Sequence, residues 1–132
     1  VAIIAQRLVR ILCPHCKEIY LPDEETLANL GLAVSVLQKN TFYRKKGCNL
    51  CKHTGFRGRS AIFEILIVDD NIKKLVLNTS DANQINELAV KQGMVTLQQD
   101  GIQKVLAGIT TTEEVLRVTR SLARKEDIVL EP

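Results

Sequence analysis

Four cysteines carry the strongest chemical signal in this sequence. Cys13 and Cys16 stand in C-P-H-C, 31 residues intervene, and Cys48 and Cys51 follow in C-N-L-C. A C-x-x-C turn lets two thiolates converge on one ion, and two such turns supply the corners of a zinc tetrahedron. Pro14 stiffens the first turn, while Gly47 and Gly55 flank the second pair, where close backbone approach lets N–H groups reach sulfur. Structural disulfides would require an oxidising compartment, and no secretory signal pattern is present. A thioredoxin-like redox pair would place its C-x-x-C at the start of a helix after a strand, and would leave the other pair without a role. The expected site is therefore one zinc ion held by Cys13, Cys16, Cys48 and Cys51. Four thiolates close the coordination shell, so the metal is expected to be structural rather than catalytic.

The other reactive residue types are weaker signals. His15 lies between two ligands and His53 follows the fourth, but a filled tetrahedron needs neither, and both are expected to face solvent. From Arg44 to Arg59 the chain holds Arg44, Lys45, Lys46, Lys52, Arg57 and Arg59 with no acid. Such a cluster suggests nucleic acid, yet a zinc tetrathiolate carries a charge of −2 that nearby cations offset. Stacking aromatics in and beside this stretch are limited to Phe42, Tyr43 and Phe56, so no nucleic-acid partner is expected. The sequence contains no G-x-x-x-x-G-K-[ST] phosphate loop, no H-E-x-x-H and no G-x-S-x-G. Glu64, with Arg57 and Arg59 close in sequence, is the expected centre of a polar network, read first as a structural ion pair at a strand end and otherwise as part of a subunit interface.

These residues need elements to position them. Residues 3–12 mix β-branched residues with arginines and read as a strand. Residues 59–68 alternate more clearly, with Ile62, Glu64 and Leu66 on one face and Ala61, Phe63, Ile65 and Ile67 on the other. Paired antiparallel, the two make the chain between them a metal-pinned excursion at a hairpin tip, the metal replacing a core too small to form. Within it, Pro22-Asp23-Glu24-Glu25 starts a short helix through Leu27 and Leu30, stopped at Gly31; the remainder reads as loop, with Phe42-Tyr43-Arg44 returning as a short strand.

After Val68 the period changes to that of helices. One begins at Asp69-Asp70 with Ile72, Leu75 and Val76 at core spacing, and a second begins near Ser80-Asp81 and closes at Gly93. A third runs from Thr96 to Gly108. The fourth opens on Thr110-Thr111-Thr112 with Glu113 and Glu114 in a capping-box arrangement and continues through Val115, Leu116 and Leu122. The fold class is thus α+β: an antiparallel β-hairpin carrying a tetracysteine zinc module at its tip, followed by a four-helix C-terminal segment. The divisions fall at 1–12, 13–51, 52–68, 69–122 and a tail over 123–132.

Composition agrees with a globular domain. Hydrophobic residues make up 45% and charged residues 25%, which excludes a disordered tail. A net charge of +3 is too small to mark a polyanion binder. No stretch approaches the ~20 apolar residues of a membrane span, so no direct membrane insertion is expected. The first residue is Val and the only methionine is Met94, from which the chain is expected to be a piece of a longer protein.

An ordered set of motifs resembles the end of a type II secretion or type IV pilus assembly ATPase. They are Ala5-Gln6-Arg7-Leu8-Val9-Arg10, C-P-H-C, Tyr43-Arg44, C-N-L-C-K-H-T-G-F-R-G-R and Ala61-Ile62-Phe63-Glu64. Gln92-Gly93-Met94-Val95-Thr96-Leu97, Asp100-Gly101, Lys104-Val105 and the run from Gly108 to Val115 extend it, so that it covers roughly residues 5 to 120. The resemblance implies a hexameric, RecA-like motor, cytoplasmic and peripheral at the inner membrane, whose ATP hydrolysis drives pilus or pseudopilus assembly and protein secretion. Residues 1–12 would then close the ATPase core sheet and 52–68 return to it. Asn71 to Val76 would take the place of a helix that in relatives influences subunit contacts. The four cysteines would place the chain in the assembly and secretion branch, since related retraction motors lack them. ATP and Mg²⁺ would belong to the parent protein, whose phosphate loop, acidic boxes and histidine box lie upstream of Val1, so this chain is not expected to hydrolyse ATP by itself. The implied partners are other subunits of the hexamer and inner-membrane platform proteins; the basic residues Arg44, Lys45, Lys46 and Lys52 are the expected contact with the platform. The competing reading is a stand-alone zinc-ribbon module, either a nucleic-acid adaptor or a chaperone-like region. Chaperone knuckles repeat C-x-x-C-x-G-x-G, whereas Lys-His-Thr-Gly follows Cys51 here.

Overall fold

The computed structural model describes residues 1–119. Two long strands, β1 (Ala2–Leu12) and β4 (Phe56–Ile67), pair antiparallel from Ala2 opposite Ile67 to Leu12 opposite Phe56. Between Arg10 and Leu12 the register shifts, so that Ile11 lies opposite both Arg57 and Gly58. Gly58, at φ +80°, takes the left-handed conformation that such a bulge favours. The observed second strand starts three residues before the expected one, because the bulge lets pairing continue past Arg59.

Everything between the long strands is built at their far end. A second antiparallel pair joins β2 (Glu18–Tyr20) to β3 (Phe42–Arg44). The short helices α1 (Glu24–Asn29) and α2 (Val36–Lys39) lie between them in the chain. The Asp23 carboxylate caps α1 by accepting from the Thr26 N–H at 2.8 Å. β3 and α1 agree with the sequence expectation, whereas β2 and α2 stand where loop is expected. The three residues of β2 become a strand only by pairing with β3, whereas α2 is a single turn closed by local bonds between residues 33–36 and 36–40.

Four helices follow, as expected. α3 (Asp70–Asn78) is capped by Asp69 and α4 (Ala82–Lys91) by Asp81, while α5 (Leu97–Leu106) opens with a capping box between Thr96 and Gln99. α6 is helical over 112–119. Its expected continuation through Leu122, and the tail over 123–132, lie outside the described residues. α3 packs against α4, while α5 and α6 pack on the hairpin. Leu97 of α5 packs with Val9 and Ile62 of the two long strands, and Val118 of α6 joins them. A second core gathers Leu27 and Leu30 at α1, Phe42 of β3, Ile102 and Val105 of α5 and Val115 of α6. It fastens the excursion to the C-terminal helices, so the cysteine-bearing segment shares a core with the rest of the chain.

The expected core spacing of α3 holds for Ile72, which is fully buried, but Val76 is 50% exposed and the neighbouring Leu77 84%. Helical period identifies a face, and whether another element covers it is a tertiary matter. Among the described residues, no helix is long and apolar enough to cross a membrane.

Candidate metal centre

The four cysteines converge where the long hairpin ends. Cys13 continues β1 by one residue, its N–H donating to the Gly55 carbonyl at 2.9 Å, so the first knuckle is aligned by the hairpin ladder itself. Cys48 caps a single 3-10 turn, Asn49–Cys51, that turns Cys51 back toward it. Lys52 and His53 then adopt φ of 56° and 63°, a left-handed exit from the knuckle. All four Sγ atoms lie within 4.8 Å of one another. Cys13 to Cys48 is 3.8 Å, Cys48 to Cys51 is 3.8 Å and Cys16 to Cys51 is 3.9 Å.

Those distances discriminate between chemistries. A zinc tetrahedron with ~2.3 Å metal–sulfur bonds has edges of about 3.8 Å. A disulfide would bring two sulfurs to about 2.05 Å. The sulfurs are free thiols, three of whose separations equal the edge of such a tetrahedron, and the donor set fits a borderline-soft divalent ion such as zinc.

The surrounding backbone supplies the polar contacts that thiolates need. Gly47 donates its N–H to Cys16 Sγ at 3.3 Å, while Cys48 and Gly55 each donate to Cys51 Sγ at 3.2 Å. Gly55 is held at φ +84°, and a Cβ there would come within 2.5 Å of the Lys45 side chain. Its N–H reaches sulfur because nothing larger than hydrogen fits. Burial opposes ionisation of Cys51, but the Cys48 and Gly55 N–H groups and the neighbouring thiols outweigh it and hold the Cys51 thiol down to about 6. Burial pushes the Cys16 thiol up to about 11, with the adjoining thiols adding to the rise and the Gly47 N–H opposing it. His15 and His53 are both exposed.

The basic cluster is partly neutralised from an unexpected direction. Glu18 of β2 accepts from Arg44 at 3.0 Å and pairs with Lys46 at 3.5 Å, and Arg44 holds its carboxyl below the ordinary range. Lys45 and Arg10 lie over the Phe56 ring, at 5.8 Å and 4.3 Å from its centroid. Lys52, Arg57 and Arg59 are exposed.

The expected network around Glu64 takes another form. Glu64 accepts from the Leu97 N–H at 3.0 Å, joining β4 to the first turn of α5, and no ion pair to Arg57 or Arg59 is present among the described residues. The principal ionic network is instead Arg10–Glu114–Arg117. Glu114, with its side chain only 3% exposed, pairs with Arg10 at 2.7 Å and Arg117 at 3.0 Å. By sequence pattern Glu114 belongs to a capping box. The Thr111 hydroxyl does accept from the Glu114 N–H at 3.0 Å, but the carboxylate turns away to β1. The only sequence signal for this is an acid beside capping threonines, which does not distinguish the two outcomes.

The segment 108–112 is tied to the hairpin end that carries the cysteines from several sides. Lys17, one residue past the first knuckle, donates to the Gly108 carbonyl at 2.9 Å and lies over the Tyr43 ring. The Leu12 N–H donates to the Ile109 carbonyl at 2.8 Å. Thr110 Oγ1 donates to the Arg10 carbonyl at 2.7 Å, and the Tyr20 and Thr112 hydroxyls lie 2.8 Å apart.

The pattern defining the type II/IV secretion system proteins matches residues 1–117. The chain belongs to that family. Among curated relatives of the family, it is 46% identical over 119 residues to the type IV pilus assembly ATPase PilB of Thermus thermophilus, covering 90% of this chain and 13% of that protein. It is 45% identical over 118 residues to the type II secretion system protein E of Pseudomonas aeruginosa, covering 89% of this chain and 23% of the relative. The type II secretion system ATPase E of Vibrio cholerae is 40% identical over 118 residues, with 89% and 23% covered. The chain therefore spans less than a quarter of the length of these secretion-family relatives.

Proposed function

We propose that this chain is the non-catalytic C-terminal part of a hexameric secretion or pilus-assembly motor ATPase, and that Cys13, Cys16, Cys48 and Cys51 hold one structural Zn²⁺. The observation that carries the metal reading is the convergence of four sulfurs within 4.8 Å of one another, three of their separations being 3.8 to 3.9 Å, the edge of a zinc tetrahedron. Zinc supplies a four-way crosslink there and, with its shell filled by thiolates, no activated water. The motor reading is supported by the relatives' names as ATPases and by their greater length. The chain's own sequence has no phosphate loop, so ATP and Mg²⁺ would be handled by the rest of the parent.

In this reading residues 13–51 form a metal-organised module, 1–12 and 52–68 close the parent's core sheet, and 69–122 form the helical wrap. The module acts as a rigid attachment that passes the motor's conformational cycle to neighbouring subunits or to an inner-membrane platform. Support comes from its direct bonds to residues 108–112 and from the shared core around Phe42 and Val115. The exposed apolar residues Ile3, Ile4, Phe63, Ile65 and Ile67 on the hairpin fit burial against the remainder of a larger sheet domain.

Elemental analysis of the purified chain should give one zinc per molecule. Cys48→Ser in the full motor should lose that zinc and impair pilus or pseudopilus assembly. Retained zinc with normal assembly would refute the proposal.

A further inference from the structure

The four sulfurs are not chemically equivalent. Cys51 receives two N–H···S bonds from outside its own residue, at 3.2 Å each, and Cys16 receives one at 3.3 Å from Gly47. Cys48 is approached only by the Cys51 N–H across its own turn, and that N–H is shared with the Cys48 carbonyl at 3.3 Å. An N–H donor withdraws charge from a metal-bound thiolate and lowers its reactivity toward electrophiles, so the sulfurs without a donor of their own carry the most nucleophilic lone pairs. Those are Cys13 and Cys48. Accessibility then separates the two, because Cys13 is fully buried whereas Cys48 is part-exposed at the start of its 3-10 turn.

We propose that Cys48 is the modification site of this metal centre, the ligand that reacts first with small electrophiles such as alkyl halides and peroxides. The inference rests on the zinc reading above. With a peroxide, the Cys48 thiolate attacks one oxygen: an S–O bond forms, the O–O bond breaks, and the products are a sulfenic acid and hydroxide. The Cys51 thiolate, 3.8 Å away in the same turn, then attacks the Cys48 sulfur, forming an S–S bond and expelling a second hydroxide. Two electrons pass from the two sulfurs to the peroxide. Only Cys13 and Cys16 then remain as ligands, so the metal is lost. The same event loosens the support beneath β2 and β3, where Tyr20 of β2 and the preceding Lys17 hold residues 112 and 108.

The test uses the unsubstituted chain, because Cys48→Ser would remove a ligand. Zinc content is measured first. The chain is then treated with substoichiometric iodoacetamide, each cysteine is quantified by peptide mass spectrometry, and zinc release is followed with a chromogenic chelator. Cys48 should be alkylated about tenfold faster than Cys51, with zinc released in step, in line with the size of outer-shell effects on metal ligands. With hydrogen peroxide the first crosslink should be Cys48–Cys51. Stoichiometric zinc with Cys16 or Cys51 modified first would overturn this inference alone. A chain without zinc would overturn it together with the reading on which it rests.

Discussion

Glu114 and Arg10, 104 residues apart in sequence, are joined by three hydrogen bonds: the Arg10 backbone N–H to one carboxylate oxygen at 3.0 Å, and the guanidinium to the other at 3.1 and 2.7 Å. The backbone bond fills an outward-facing amide of β1 where a further strand would otherwise pair. Two residues on, the Leu12 amide is filled in the same way by the Ile109 carbonyl. Glu114 of α6 and the preceding Ile109 thus seal the edge of β1 beside the cysteine cluster without adding a strand.

Acid stability should report this contact. Burial alone would raise the Glu114 carboxyl, but hydrogen bonds from Arg117 and Arg10 overcome it and bring it from 4.5 down to about 2. Between those values the unfolded chain binds the proton and the folded chain does not. The contribution is therefore complete above about pH 4.5 and is lost as pH falls toward 2. Glu114→Gln should cost about 2 kcal/mol at pH 7, measured by urea unfolding, and should flatten this loss. An unchanged acid profile in the variant would show that the network contributes little.

Gly101 sets the spacing of α5 against α6. A Cβ there would meet Val115 Cγ1 at 2.7 Å, and a branched side chain cannot swing aside as a long one can. Overpacking costs about 1–3 kcal/mol, while alanine's better helix propensity returns about 1. Gly101→Ala should therefore lower the melting temperature despite the propensity gain. A rise would mean that the helices part freely.

Metal removal should be felt far from the cysteines in sequence. Chelation of the zinc-loaded chain should raise amide hydrogen exchange at residues 108–112, since Lys17 and Tyr20 hold that segment from the module side. Tyr20→Phe, which removes one of these bonds, should cost about 1 kcal/mol. Protection at 108–112 that is indifferent to chelation would separate the helical wrap from the metal.

The exposed face of β4 should make the isolated chain associate. Phe63, Ile65 and Ile67 line a groove of about 600 Å³ with Met94 and Val95, and Ile65 is 47% exposed. Ile65→Lys should reduce self-association in sedimentation experiments while changing stability by no more than about 0.5 kcal/mol. In the proposed parent the same change should be disruptive, because this face would be covered.

The long elements are legible because their signals are local and repeated. Alternation of Ile62, Glu64 and Leu66 against Phe63, Ile65 and Ile67 marks β4, and capping by Asp69, Asp81 and Thr96 marks three helix starts. The donor roles of Gly47 and Gly55 follow from their places beside the knuckle. β2 is not legible, since three residues carry no period of their own. Nor is the exposure of Val76, which depends on what covers a helix face.

The amino-acid sequence by itself determined the four cysteines proposed as metal ligands, the hairpin that presents them and the order of the helices. Each follows from residue type and spacing along one stretch of chain. The tertiary structure decided which partners distant groups take. It turned Glu114 from its own helix cap to Arg10, directed Glu64 to the Leu97 amide and placed Glu18 against Arg44. A carboxylate has several donors within reach of its local sequence, and only packing determines which one it meets where water is excluded.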